Sequence, residues 1–367
     1  MENKIKIASL FSGVGGFEEG LEFAGINYEI VFASEIDRFA RKSFLANFDT
    51  TNMYSDITKI EACDVPDHDL LIAGFPCQSF SIAGKRKGFE DARGTLFYDV
   101  ARILNVKKPK FILLENVKNL INHDGGKTIY KILKILEELN YTIDFTIINS
   151  MEAGVPQSRE RTYIFGVYNW ESEKYLLDKR NVKINKLKEK LNKSNYLSFN
   201  FFDSLNFDME TKVLDDVILK EVDEKFYLSN EKADAFLKSL TIDDQIKKEN
   251  RIIKLFDLPK DVHNDLERQR RVYSTKGISP TLLARSDSPK ILTKDAGDYK
   301  IRKLTPEENF LIQGFDKKFV ENIKNAGISN TQMYKQSGNA VSPPVIAGIM
   351  KTFYEEFIEN DKIHRSI

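Results

Sequence analysis

The residue of this sequence best placed to act as a nucleophile is Cys77. It follows Leu70–Gly74, an apolar run that predicts a buried strand ended by a glycine and a proline. Residues 81–95 then carry three glycines around the basic triplet Lys85-Arg86-Lys87. A thiol at a strand end, leading into such a loop, is typical of a nucleophile beneath a movable lid. A lone cysteine is more often an inert core residue, because only the thiolate reacts, so the interpretation depends on other positions.

Glycines and acidic residues follow other predicted strands. Gly13-Val14-Gly15-Gly16 lies between a predicted strand and a predicted helix, where backbone N–H groups stay free for a ligand. Glu18 stands where a dinucleotide fingerprint needs its third glycine, which disfavours NAD or FAD. Glu35, about 20 residues further on, could accept ribose hydroxyls, and Asp56 could accept from an adenine amino group. These groups fit a ligand with ribose, adenine and a carboxylate but no pyrophosphate, such as S-adenosylmethionine.

The elements that must position these residues alternate between strand and helix. The pattern predicts strands at residues 4–11, 28–34, 70–74, 110–114 and 142–148, and helices at 17–24, 37–47, 96–106 and 127–139. This rhythm predicts an α/β fold with a largely parallel sheet and helices on both faces. Ligands of such sheets bind beyond the carboxyl ends of the strands. The glycine-rich loop, Glu35, Asp56, Cys77 and Glu115 all fall at predicted strand ends.

The rhythm ends after Trp170. Residues 171–193 are dense in Lys, Glu and Asn, which predicts a solvated helix or insertion without a functional site. Residues 197–302 mix short strand-like and helical pieces, which indicates a second domain. We therefore expect a catalytic domain formed by residues 1–170 and 328–367, and a smaller target-recognition domain at 171–327.

Composition sets further bounds. A chain of 367 residues favours about two domains. Its 55 basic and 55 acidic residues argue against a surface that binds nucleic acid everywhere, and leave room for a local basic face. We expect no membrane span, no signal peptide and, with two cysteines, a reducing cytoplasmic location. Four scattered histidines give no zinc spacing, so we expect no metal.

Six motifs in a fixed order carry a resemblance to a known family. They are Phe11-Ser12-Gly13-Val14-Gly15-Gly16, Pro76-Cys77-Gln78, Glu115-Asn116-Val117, Gln157-Ser158-Arg159-Glu160-Arg161, Arg302-Lys303-Leu304-Thr305-Pro306-Glu307 and Gly338-Asn339-Ala340-Val341. With them the chain resembles the DNA (cytosine-5)-methyltransferases, above all the compact bacterial enzymes of restriction–modification systems. The match covers about residues 5–168 and 268–348. It implies a Rossmann-like S-adenosylmethionine-dependent methyltransferase sheet with a second, smaller target-recognition domain.

The resemblance also implies a mechanism and its catalytic residues. The thiolate of Cys77 would attack C6 of cytosine, which makes C5 able to take a methyl group. Glu115 would donate a proton to N3, and burial should raise its pKa so that it carries that proton. Arg161 would contact O2, Arg159 would support the geometry of Cys77 and Glu115, and Asn116 would help to hold the base or the preceding loop.

The remaining assigned residues bind the cofactor or DNA. The cofactor set is Phe11, Ser12, Gly13, Gly15, Gly16, Glu35, Ile36, Asp56, Ile57, Pro76 and Asn339. The DNA set is Ser79, Ala83, Lys85, Arg86, Lys87, Arg268, Gln269, Arg271, Thr281 and Arg285. A cytosine inside a duplex must be flipped out, and residues 79–94 would form the lid over it. Ala83 stands where close relatives can carry a serine that probes the vacated stack, so Ile82 or Arg268 would have to fill the gap.

The expected partner is double-stranded DNA, methylated at a short site. A cognate restriction endonuclease could act on the same site without direct contact, and we expect a monomer. Two alternatives stay open. One is an RNA cytosine methyltransferase of the same superfamily, which the large second domain with its basic segment disfavours. The other is a regulator that binds cofactor and DNA without catalysis, which needs no nucleophile.

Overall fold

The chain folds into two compact units in the computed structural model. Unit 1 contains residues 1–148, 160–206 and 346–367, and unit 2 contains residues 149–159 and 207–345. The structure describes residues 4–76, 96–177, 182–207, 209–228, 230–242, 245–295 and 297–359. Among these residues, no helix is both long enough and apolar enough to span a membrane.

Unit 1 is built on a seven-stranded sheet in the order β3-β2-β1-β4-β5-β7-β6. Its strands are β1 (Ile5–Leu10), β2 (Tyr28–Ser34), β3 (Met53–Tyr54), β4 (Leu70–Gly74), β5 (Phe111–Val117), β6 (Tyr141–Asn149) and β7 (Glu160–Tyr168). The first five strands pair in parallel, and β7 pairs antiparallel with β5. The central strands are apolar along almost their whole length because both faces of a parallel sheet are covered.

The helices of unit 1 begin where the sequence offers suitable first turns. They are α1 (Gly16–Ala24), α2 (Arg38–Leu45), α3 (Leu96–Lys107), α4 (Lys127–Glu138) and α5 (Val182–Lys193). The carboxylate of Asp37 caps α2 by accepting from the N–H groups of Phe39 and Ala40. The predicted α/β fold is therefore confirmed, with most bounds within two residues of the predicted ones.

The segment after Trp170 differs from its prediction. Residues 182–193 do form a helix, but α5 is not simply a solvated insertion, because Ile184 and Leu191 join the main core of unit 1. Lys188 is also buried, and its ammonium group lies 2.9 Å from the carboxylate of Asp144 on β6. The prediction was wrong because a helix of polar composition can still pack against a core through a few inward side chains, here those of Ile184, Lys188 and Leu191.

Unit 2 contains a four-stranded sheet in the order β11-β10-β9-β8. Its elements are α6 (Glu231–Lys238), β8 (Lys254–Asp257), β9 (Arg271–Ser274), β10 (Lys290–Asp295), β11 (Asp298–Lys303), α7 (Pro306–Gln313), α8 (Lys317–Asn325) and α9 (Asn330–Asn339). The buried guanidinium of Arg302 makes two 2.7 Å bonds to Glu308, which also forms a capping box with Thr305 at the start of α7. The motif around residue 302 thus joins a strand to a helix.

The bounds of the compact units differ from those of the expected domains. Residues 171–206 belong to unit 1, and residues 328–345 belong to unit 2. The last helix, α10 (Pro343–Phe353), carries Phe353, whose ring lies 4.8 Å from that of Phe111 on β5. The functional division into a catalytic and a target-recognition part stays a prediction.

The packing of α5 gives a first testable prediction. Leu191 is fully buried, so Leu191→Ala removes apolar contacts and leaves a cavity. We expect the free energy of unfolding to fall by about 2–5 kcal/mol in urea denaturation. Glu189→Ala, on the exposed side of the same helix, is the matched control and should change it by less than about 0.5 kcal/mol. Equal effects of the two substitutions would contradict the described packing.

Glu18 on α1 is a buried acid directly after the glycine-rich loop. Burial raises the pKa of its carboxyl group from 4.5 to about 7, and the nearby hydroxyl of Ser9 only partly opposes this. The folded protein therefore holds a proton here that the unfolded chain releases near pH 4.5. Raising the pH from about 4.5 to about 7 consequently favours unfolding through this group.

Glu18→Gln should remove this pH dependence, because the glutamine side chain does not titrate. Relative to Glu18→Gln, the wild type should lose about 3 kcal/mol of stability as the pH rises from 4.5 to 7, and no more above 7. Denaturation curves over this range measure the difference. Glu29→Gln, an exposed acid on β2, is the control and should follow the wild type. Parallel curves for the wild type and Glu18→Gln would show that the carboxyl group is not buried as described.

Candidate functional site

The hydrogen-bond register of the parallel strands brings five chain segments to one edge of the sheet. Leu10 pairs with Ser34 on one side and with Ala73 on the other. Ser34 pairs with Tyr54, and Gly74 pairs with Glu115. Residues 11–16, 35–37, 55–57 and 75–76 therefore leave the sheet at its carboxyl edge, where Glu115 and Asn116 lie near the end of β5. The predicted site residues in these described segments come together for this reason.

The glycine-rich loop is held by Glu35. Its two carboxylate oxygens accept from the N–H groups of Gly13, at 2.9 Å, and Asp37, at 2.8 Å. Gly15 has a φ of +97°, and a Cβ there would lie 2.2 Å from the ring of Phe48, so only glycine fits. Phe11 has a φ of +54°, a rare conformation for a bulky residue that is common at functional sites. Glu35 thus fixes the loop and keeps lone pairs for a ligand.

The neighbouring predicted cofactor residues offer different surfaces. Ile36 is 74% exposed at the strand end, where a large apolar side chain can cover a flat ring. The side chain of Asp56 caps a short helical turn by accepting from the N–H and hydroxyl groups of Thr58, which lower its pKa. Ile57 is buried and Pro76 is exposed. Ser12 is buried, and its hydroxyl donates to the carbonyl of Ser34.

Glu115 and Arg161 form an ion pair at the same edge. The Nε of Arg161 lies 3.1 Å from Oε1 of Glu115, and the side chains are only 15% and 11% exposed. Glu115 lies opposite Tyr163 in the antiparallel register, so Arg161 is its diagonal neighbour on the same face. Strand β7 therefore supplies the partner of Glu115, although the sequence pattern had not predicted this strand.

Asn116 holds the strand end that leads to Cys77. Its buried amide donates to the carbonyl of Phe75 at 2.7 Å, and its oxygen accepts from the N–H of Val117. This fixes β4 to β5 two residues before the cysteine. Of the two alternatives for Asn116, the contacts fit the one in which it holds the preceding loop.

One predicted catalytic residue, Arg159, and one predicted cofactor residue, Asn339, belong to unit 2. Arg159 is 2% exposed, and its guanidinium donates to the carbonyl oxygens of Gly338 at 3.0 Å and Ala340 at 2.9 Å. Asn339, between these two carbonyls, is exposed at the end of α9. The structure therefore joins the segments that carry Arg159 and Asn339.

The predicted DNA-binding residues of unit 2 differ in their surroundings. Arg268 is exposed. Arg271 pairs with Glu267 at 2.8 Å, and Arg285 lies 3.7 Å from Asp265. The remaining two are less accessible: Gln269 is 9% exposed, and the hydroxyl of Thr281 donates to the carbonyl of Ser158 at 2.6 Å.

Several predicted site residues lie outside the described part of the chain. They are Cys77, Ser79, Ala83, Lys85, Arg86 and Lys87, together with the predicted lid at residues 79–94. Their roles stay predictions from the sequence.

Two residues that hold predicted site segments were not themselves predicted. The guanidinium of Arg41 donates to the carbonyl oxygens of Glu35, at 2.6 Å, and Ile36, at 2.9 Å, and so clamps the segment after β2. Gln157 is fully buried, and its Oε1 accepts from the N–H of Leu282. The sequence offered one signal for each residue. Arg41 lies one helical turn after Asp37, close to the end of β2, and Gln157 is the first residue of the motif that contains Arg159 and Arg161.

One group of possible metal ligands occurs among the described residues. Ligand atoms of His263, Asp265 and Asp287 all lie within 4.8 Å of one another. The ammonium group of Lys290 is 3.0 Å from Asp287, and the guanidinium of Arg285 is 3.7 Å from Asp265. Since these two cations already balance both carboxylates, we assign no ion to this cluster.

Comparison with known proteins places the chain in a family. The profile of the C-5 cytosine-specific DNA methylases matches residues 5–355. The chain is 37% identical to the type II methyltransferase M.SsoII of Shigella sonnei, over 94% of this chain and 79% of the relative. It is 34% identical to the orphan methyltransferase M.SPRI of Bacillus phage SPR, over 98% of this chain and 99% of the relative.

Solved structures share the fold. The Schizosaccharomyces pombe Dnmt2 methyltransferase superposes with a TM-score of 0.68 at 19% identity, covering 97% of this chain and all of that one. The Entamoeba histolytica methyltransferase EhMeth gives a TM-score of 0.66 at 17% identity, covering 98% of this chain and all of that one. The predicted family and fold are thus confirmed: the chain belongs to the C-5 cytosine-specific DNA methylases and is an enzyme of that class.

Proposed function

We propose that this enzyme transfers a methyl group from S-adenosylmethionine to C5 of a flipped-out cytosine in a short, specific duplex DNA site, through a covalent bond between Cys77 and C6. The observation that carries the proposal is the ion pair of Glu115 and Arg161 beside the strand end that Asn116 fixes ahead of Cys77. An acid and a cation at one strand edge, together with the thiol that the sequence places two residues after Phe75, are the groups that addition to cytosine requires.

The glycine-rich loop and Glu35 support the choice of cofactor. Gly13 and Gly15 have positive φ and no side chain, so the backbone of the loop can come close to a bound cofactor. The carboxylate of Glu35 accepts two backbone N–H bonds and can use its remaining lone pairs to accept from the ribose hydroxyls. Ile36 offers an exposed apolar side chain to the adenine ring. Phe11, Ser12, Gly16, Asp56, Ile57, Pro76 and Asn339 complete the proposed cofactor set. When bound, S-adenosylmethionine supplies an electrophilic methyl group to C5.

The chemistry begins with the thiolate of Cys77. Its electron pair forms the bond to C6, and the displaced electrons of the ring are taken up at N3 and O2. Glu115 donates its proton to N3, and the guanidinium of Arg161 donates to O2. C5 then takes the methyl group, with S-adenosylhomocysteine as the leaving group. Water takes up the C5 proton, and the electrons of that C–H bond re-form the C5–C6 double bond and expel the Cys77 thiolate. N3 returns its proton to Glu115, which restores the enzyme.

The ion pair of Glu115 and Arg161 has to change when cytosine enters. An adjacent guanidinium favours the carboxylate form of an acid, whereas donation to N3 needs the acid form. If Arg161 turns its donors to O2, Glu115 loses its counter-charge in a nearly buried position and takes up a proton. The base itself would thus produce the protonation state that its activation requires.

Arg159 is proposed to act indirectly, through the segment of Gly338 and Ala340 to which it donates hydrogen bonds, and not by contact with the base.

The basic residues of unit 2 are proposed to contact DNA. The exposed Arg268 can reach a base edge or fill the gap left by the flipped base. Arg271 and Arg285 now pair with acids, and would exchange them for phosphates. Gln269 would need to become accessible, while Thr281 and the lid residues Ser79, Ala83, Lys85, Arg86 and Lys87 complete the set. Residues 79–94 would close over the flipped cytosine.

The biological setting is proposed from the relatives. Those named type II methyltransferases support a modification enzyme of a restriction–modification system, with an endonuclease that acts on the same site. The likeness to Dnmt2 structures lies under 25% identity and shows the fold alone, so it supports no particular substrate.

A mechanism-based trap tests the covalent step. In a duplex that carries 5-fluorocytosine at the target, fluorine replaces the hydrogen that must leave C5, so the adduct cannot resolve. With S-adenosylmethionine present, we expect a covalent protein–DNA complex whose mass shift maps to Cys77. Cys63→Ala, which removes the exposed second cysteine, should still form it. Cys77→Ala should bind DNA without forming it; an adduct in that variant would exclude Cys77 as the nucleophile.

A further inference from the structure

Three segments of unit 2 lie against one another around Arg159. We call residues 279–285 the reading strap, since Thr281 and Arg285 are proposed to contact DNA. We call residues 338–340, at the C-terminal end of α9, the terminal turn; this segment contains Asn339, which is proposed to bind the cofactor. The third segment, residues 156–159, pairs with the reading strap: the N–H of Ser279 donates to Pro156, and that of Ser158 donates to Ser279.

Arg159 reaches both of the other segments. Its Nη2 donates to Gly338 and Ala340 of the terminal turn, and its Nη1 lies 3.5 Å from the carbonyl of Leu282 in the reading strap. A buried guanidinium that loses its acceptors is left with unpaired donors and an uncompensated charge, which is strongly unfavourable. Movement of either segment away from Arg159 is therefore disfavoured.

A second connection runs through two glutamines. Gln157 accepts from the N–H of Leu282, and its amide donates to the side chain of Gln313 on α7. Gln313 in turn donates to the carbonyl of Ala340 at 2.6 Å. The reading strap and the terminal turn are thus joined twice, by buried side chains whose polar groups satisfy each other.

Gly338 shows how closely the two segments approach. A Cβ at this position would lie 2.3 Å from the carbonyl carbon of Leu283 and 2.4 Å from the nitrogen of Ala284. These are backbone atoms, which cannot turn aside as a side chain would. Any side chain at residue 338 would therefore push the terminal turn and the reading strap apart.

We propose that Arg159 is a positioning residue that couples cofactor binding at the terminal turn to DNA binding at the reading strap. The proposal rests on the proposed function, in that Asn339 contacts the cofactor and Thr281 and Arg285 contact DNA. A ligand that fixes one segment lowers the entropic cost of fixing the other, because Arg159 and the glutamines hold them in one arrangement. Such coupling is reciprocal: each ligand strengthens the other by the same factor.

The test measures both affinities with and without the other ligand. The probes are S-adenosylhomocysteine, which carries no methyl group to transfer, and a short duplex that contains the site mapped by methylation analysis. In the wild type, each ligand should tighten the other by at least about fivefold. In Arg159→Lys this factor should fall below about twofold, because a lysine is a single point donor and cannot span the carbonyls of both segments.

Gly338→Ala provides an independent variant. It keeps Arg159 and forces the two segments apart, so the coupling factor should fall here as well. Tyr334→Phe is the matched control. Tyr334 lies on α9, as Gly338 does, and its buried hydroxyl donates to the carbonyl of Leu304. The substitution removes this one hydrogen bond and leaves the contacts of Arg159, Gln157 and Gln313 in place. It should keep the coupling of the wild type, and melting temperatures of all variants report any general loss of stability.

The outcomes separate the two levels of the proposal. Coupling that persists in Arg159→Lys, or that is absent from the wild type, would overturn the positioning role. An equal loss in Tyr334→Phe would also overturn it, since the effect would then follow stability alone. If the wild type failed to bind either S-adenosylhomocysteine or DNA, the proposed function would be overturned, and this inference with it.

Discussion

The parallel register of five strands is the constraint on which the candidate site depends. Backbone pairing aligns Leu10 with Ser34 and Ala73, so the segments that follow them leave the sheet side by side. A slip of one residue would turn each strand's side chains to the opposite face and bury the wrong groups. Glu35 extends this order beyond the sheet by tying the glycine-rich loop to the end of the next strand. Backbone pairing between the strands therefore determines which segments lie together at the candidate site.

Strand β7 adds what the parallel strands do not supply. It runs antiparallel beside β5 and brings Arg161 next to Glu115, in a position where little water reaches either group. The charge balance of this pair is sensitive to a third polar group, because partly buried charges are poorly screened. An incoming cytosine would be such a group. In the proposed mechanism, recognition of the base would thus be linked to its activation without a separate switch.

The sequence allowed the parallel part of the fold to be predicted because apolar runs ended by glycine, proline or acidic residues repeat regularly there. Strand β7 was missed because its first residues, Glu160, Arg161 and Thr162, are charged or polar and interrupt the apolar pattern. Helix α5 was expected to be solvated because its composition is polar, whereas Leu191 and the pair of Lys188 with Asp144 dock it. The contacts of Arg159 could not be predicted from its motif, since its acceptors lie more than 120 residues further along the chain. Cys77, by contrast, rests on the sequence alone.

Methylation of cytosine at C5 in DNA is tested most directly by bisulfite sequencing of a plasmid from cells that express this chain. We expect cytosines within one short recurring sequence to resist conversion, and to convert fully when the chain carries Cys77→Ala. A plasmid without protected cytosines, or equal protection with Cys77→Ala, would contradict it.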